Sequence, residues 1–202
     1  MSIEAVLHAG VPLAFGLAFI LVSAVRSIIS ARQIGKSPFV IDRKDPILGF
    51  VGAIFAAIVV LEFAYFGLIA VEPALEISWG RIPRSNEQGW RLASVVVMKA
   101  SLLWMAAAQF AMGRSWRVGI HQAETLELRT HGPFAISRNP IFTGMLGLSV
   151  GLAIWSPAIV PFVALTAAHL ALEIQVRVEE VYLERTIGEP YRQYRMRVPR
   201  WF

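Results

Sequence analysis

Three groups of residues have types and spacing that could do chemistry. The first is a polar cassette between apolar segments, from His131-Gly132-Pro133-Phe134 to Arg138-Asn139-Pro140. Gly132-Pro133 is turn chemistry. Asn139 precedes a proline and is pushed out of the α region. Pro140 suits the first position of a helix, where its missing N–H costs nothing. A helix start has free N–H groups and a partial positive charge, and Arg138 adds a full one beside it. Together they make a site for a carboxylate or a phosphate. The plainer reading of Arg138 is a charge that marks the cytoplasmic edge of a membrane.

The second group is His169, Glu173 and Arg177, spaced four apart and therefore on one helix face. Ionisable groups near membrane depth face a protein interior or a wet cavity, which makes Glu173 and Arg177 candidates for a cavity lining. A self-satisfied interfacial ladder is the alternative. The third group is Glu179-Glu180. Beside a basic cassette the pair could hold a cationic ligand group; taken alone it would neutralise Arg177 and Arg185. No catalytic triad, phosphate-binding glycine loop or zinc pattern is present, the four histidines are scattered, and there is no cysteine.

The elements that must position these groups are apolar. Of the 202 residues 56% are hydrophobic, and runs such as 47–71 exceed the ~20 residues needed to cross a bilayer. Five spans are expected, over 3–29, 47–71, 92–112, 140–155 and 157–171, with the last two a short helical hairpin around Ser156-Pro157. The tail from Leu172 should continue the fifth helix and end in a cap. Residues 1–112 form a three-helix N-terminal part and 113–202 a cofactor-binding core. The first segment is too long for a signal peptide and lacks a basic region before it, so its retention is expected.

The net charge of +5 resembles a nucleic-acid signal only until the cations are located. Fifteen of the 19 Lys and Arg fall after the first span, in the cassette loop or in the tail; Arg81, Arg84 and Arg91 fall on the other side, and Lys99 lies within a span. That asymmetry puts the N-terminus outside and the cassette and tail in the cytoplasm, with membrane lipid rather than nucleic acid as partner. Gly144, Gly147 and Gly151, with Ser149, permit close approach of a neighbouring helix. Glu62 and Lys99 reach similar depth on consecutive spans, which predicts an ion pair between them.

The motifs Gly113-Arg-Ser-Trp116, Leu128-x-x-x-Gly132-x-Phe134 and Arg138-Asn139-Pro140-x-Phe142-x-Gly144 appear in that order. Glu179-Glu180-x-x-Leu183 and Gly188-x-x-Tyr191-x-x-Tyr194 follow. This order resembles the C-terminal core of isoprenylcysteine carboxyl methyltransferases and related phospholipid methyltransferases. The resemblance implies an all-α integral membrane enzyme that binds S-adenosylmethionine on the cytoplasmic side, uses no metal, and takes a lipophilic acceptor from the membrane. It implies that Arg138, with the helix start at Asn139-Pro140, meets the cofactor carboxylate, and that Glu179 and Glu180 meet its ammonium and ribose hydroxyls. Leu128, Gly132, Phe134 and Phe142 would border its adenine and sulfonium. Arg177, with Glu173 and Arg138, would form the catalytic set and orient the acceptor nucleophile. The chain departs from the family pattern at Asn139, where histidine is usual and which cannot titrate. Phe134 and Phe142 replace tyrosines and lose the hydroxyl. A bacterial inner membrane is the expected location, with the acceptor and oligomeric state open. Two other readings remain: a nicotinamide-dependent membrane reductase of the sterol-reductase type, and a non-catalytic lipid-binding protein.

Overall fold

The computed structural model describes residues 3–35, 46–113 and 128–202, all helix and connection with no strand. The helices are α1 Ile3–Ile34, α2 Pro46–Val71, α3 Ala74–Ser78, α4 Glu87–Ala111, α5 Pro140–Trp155, α6 Ile159–Ile187 and α7 Glu189–Arg197, with a 3-10 turn at Gly132–Ala135 before α5. Four helices are long and apolar enough to cross a membrane: Leu7–Gln33 of α1, α2, α4 and α6. The fifth apolar helix, α5, has 16 residues, about 24 Å against a hydrocarbon core of about 30 Å. The basic residues at 36, 43 and 44, and Arg114 to Trp116 of the first motif, lie outside the described residues.

The hairpin is asymmetric. Its second arm runs 29 residues to Ile187, so the tail from Leu172 continues the helix as expected, because the charged residues after Leu172 keep good helix formers and meet no breaker before Gly188. Gly188 adopts φ 71°, ends α6 and turns the chain into α7, a conformation that costs glycine little. Similarly, α1 extends past Arg26, which is 1% exposed. Its Nε donates to the Gln109 carbonyl at 2.9 Å and its Nη2 to the Gly113 carbonyl. A residue read as part of a basic loop thus fastens α1 to the end of α4.

The glycine stripe on α5 makes the closest helix pair in the molecule. A Cβ on Gly144 would stand 2.7 Å from the Met105 Cβ and 2.9 Å from the Ser101 carbonyl, and one on Gly151 would collide with Met98. Ser94 Oγ also donates to the Gly151 carbonyl at 2.6 Å. Antiparallel α4 and α5 therefore touch backbone to backbone, as small residues allow. Elsewhere α2 packs against α1 and α6, α5 against α6, and α1 against α4. Consecutive helices α2 and α4 share no extended contact, so the expected Glu62–Lys99 pair does not form. Lys99 is exposed, and Glu62 faces a cavity between other helices.

Candidate functional site

The bundle carries one polar cluster at each end. At the cassette end, Gly132 takes φ 62° and opens the 3-10 turn that buries Phe134. Ser137 is fully buried; its Oγ accepts from the Asn139 N–H at 3.1 Å and donates to the Arg200 carbonyl at 3.2 Å. Asn139 Nδ2 donates to the same carbonyl at 3.1 Å, and the Arg138 N–H donates to the Pro199 carbonyl at 2.9 Å. The chain end, 198–202, is thereby strapped across the cassette. Phe202 reaches Trp104, with ring centroids 5.9 Å apart.

This strap brings the charges together. Arg138 Nη1 lies 2.8 Å from Glu180 Oε1. Arg200 grips both oxygens of the same carboxylate, Nε at 3.1 Å and Nη2 at 2.8 Å, and these bonds raise its guanidinium above its ordinary value. Glu180 is 7% exposed, and one carboxylate there serves two guanidiniums. Arg138 retains a buried Nε with no hydrogen-bond partner. Glu173 accepts from Trp201 Nε1 at 2.8 Å and lies 3.7 Å from Arg200 and 3.2 Å from Arg177.

Below the cluster sit Tyr191, Tyr194 and Val198, packed with Leu128 and Leu183. Burial pushes the Tyr194 hydroxyl up to about 12, so it remains a donor to the Phe134 carbonyl at 2.7 Å. Burial and then the Glu180 charge raise Tyr191 as well.

The structure joins Arg138, Asn139, Pro140 and Glu180, with Phe134, Leu128 and Gly132 in the same wall. Glu179 turns away and accepts from Gln175 at 2.6 Å. Phe142 is half-buried on the first turn of α5. The Arg177 side chain is 67% exposed and pairs with Glu173; His169 is exposed two turns earlier. Arg200, Trp201 and Ser137 escaped sequence reasoning, because no fixed spacing connects a chain terminus to a loop sixty residues earlier. The one available signal was a basic and aromatic ending directly after Pro199.

At the opposite end Glu76, 4% exposed, is held by His8 Nε2 at 3.0 Å, by Ser156 Oγ at 2.5 Å and by Arg81 at 3.6 Å. Tyr65 shares a 2.5 Å hydrogen bond with Ser156, and Trp155 donates to the His8 carbonyl at 2.7 Å. Burial alone would raise the Glu76 carboxyl. The hydrogen bonds from His8 and Ser156, with the electrostatic pull of His8 and Arg81, outweigh burial and hold it below its ordinary range. This cluster fastens the hairpin turn to α1, α2 and α3.

Comparison with known families covers the two ends unequally. The family model described as phospholipid methyltransferase matches residues 92–189. Just under half of the chain thus resembles the phospholipid methyltransferases. The matched segment carries the cassette, the hairpin and Glu180, and leaves out His8, Glu76 and Arg81. Arg138, Asn139 and Glu180 therefore lie in the matched segment, as Trp155 and Ser156 do, whereas Arg200 and Trp201 lie beyond it. No curated protein and no solved structure matches the chain.

Proposed function

We propose that this protein is an S-adenosylmethionine-dependent methyltransferase acting on a lipophilic acceptor. The observation that carries the reading is the buried Arg138 Nε, which has no hydrogen-bond partner beside Glu180. Among the described residues Arg138 and Arg200 share the Glu180 carboxylate, and the exposed Arg177 pairs with Glu173. A desolvated guanidinium with a donor left over is complementary to an anionic ligand group. The cofactor carboxylate fits the Arg138 side beside the start of α5, and its ammonium fits Glu180. When bound, S-adenosylmethionine supplies an electrophilic methyl group on a positively charged sulfur.

The chain's own residues position and dry the site. Arg138 and Glu180 hold the two charged ends of the amino-acid moiety, while Phe134, Leu128 and the Trp104–Phe202 pair exclude water. In-line methyl transfer gains mainly from such positioning. Arg200 replaces Arg177 as our choice for the second arginine, because Arg177 points outward. We assign the cassette end to the cytoplasm on the distribution of Lys and Arg, and the acceptor to the surrounding bilayer.

The test is methyl transfer from labelled S-adenosylmethionine by the full chain in liposomes, across amino-lipid head groups, prenyl-thiol carboxylates and small lipophilic alcohols. Label in an extractable product of one class is expected, with loss in Arg138→Ala. Absence of both transfer and cofactor binding in folded protein would refute the reading.

A further inference from the structure

Between α1, α2, α5 and α6 the helices enclose a cavity whose walls are apolar except at Glu62 and Ser149. Phe19, Phe55, Ile58, Leu148 and Leu172 are among the apolar residues that line it. Glu62 stands nine residues before the end of α2, about 14 Å along the helix and well inside the apolar span. Its Oε1 is buried with no hydrogen-bond partner, and among the described residues the carboxylate enters no ion pair.

Among the described residues no side chain answers it. Lys99 is exposed on a helix that α2 does not pack against. Neither α2 nor α5 contains a basic residue. Arg26 is engaged with carbonyls of the α4 end, His8 with Glu76, and Arg177 is largely exposed.

An isolated carboxylate at this depth is costly, and persists where it faces a cavity and meets a partner. The apolar walls call for a hydrocarbon body, and the single carboxylate for one cation. The depth disfavours a bulky zwitterionic head group, which would have to leave the interface. We propose that this cavity binds a lipophilic amine, with its ammonium against Glu62 and its hydrocarbon body against the apolar walls. The site stands apart from the Arg138–Glu180 cluster and does not depend on methyl transfer.

The experiment uses the full chain in zwitterionic nanodiscs with radiolabelled dodecylamine, and dodecanol as the uncharged match. Saturable binding of dodecylamine is expected, at least tenfold tighter than dodecanol and weakened at least tenfold in the isosteric variant Glu62→Gln. Equal binding by Glu62→Gln, or equal binding of the alcohol, overturns the proposal. A second measurement needs no variant. Carbodiimide activation of the wild-type protein in the presence of dodecylamine should give the dodecylamide at Glu62, read by peptide mass. Here the amine nitrogen bonds to the carboxyl carbon and the urea departs. Activation of Glu62 without amide formation overturns the proposal equally.

Discussion

The two ends of the bundle each bury a glutamate, and they solve the problem differently. Glu76 is met by a histidine, a hydroxyl and a more distant arginine, each fixed by further contacts to α1, α2 or the hairpin turn. Glu180 is met by two guanidiniums at 2.8 Å, one of them borne on the strap at 198–202, and Arg138 keeps a buried Nε without a hydrogen-bond partner. A carboxylate matched from several elements fastens those elements together. A carboxylate over-supplied with donors leaves capacity for a ligand, because an incoming anion and ammonium can share out partners already desolvated. The Glu76 end fastens elements together, and the Glu180 end keeps a donor unmatched.

The largest effect that would sharpen this contrast is at Glu180. Glu180→Ala leaves the buried Arg138 guanidinium facing the half-buried one of Arg200 and should cost about 3–5 kcal/mol of stability, measured by thermal unfolding in detergent; a loss under half of that would mean the strap relaxes away. Glu76→Gln should cost about 1–3 kcal/mol and leave cofactor affinity untouched, so impaired binding there would break the division of labour.

The Glu76 contribution also has a pH signature. Because its folded carboxyl is held below the ordinary value, its stabilisation is intact above about 4.3 and is lost as pH falls through the folded value. The melting-temperature gap between wild type and Glu76→Gln should therefore narrow from roughly pH 6 to pH 3, and a gap that widens would contradict it. Tyr194→Phe removes one buried bond to the Phe134 carbonyl and should cost about 1 kcal/mol. The smallest effect belongs to Arg177→Ala, which should change stability by no more than about 0.5 kcal/mol.

Much of this was readable from residues alone. The start of α5 at Pro140 and its end at Trp155 follow from Asn139-Pro140 and Ser156-Pro157, local signals that no tertiary contact overrides. The glycine stripe likewise announced a close helix contact. That α6 continues beyond Leu172 was readable as well, because no helix breaker intervenes before Gly188. The Glu62–Lys99 pair failed on neighbourhood: equal depth on consecutive helices does not make them adjacent when α1 and α5 intervene. Half of the cassette-end cluster was visible in Arg138 and Glu180. The strap that delivers Arg200 and Trp201 was not, since its register is set by backbone bonds to Ser137, Arg138 and Asn139 that no periodicity encodes.

The division between the two ends is tested most directly by equilibrium binding of S-adenosylmethionine to three forms of the full chain: wild type, Arg138→Ala and Glu76→Gln. The account predicts an affinity at least tenfold lower for Arg138→Ala, consistent with loss of one charge-assisted contact of about 1.5–3 kcal/mol, and an unchanged affinity for Glu76→Gln. Equal affinity in all three folded proteins, or a loss confined to Glu76→Gln, would contradict it.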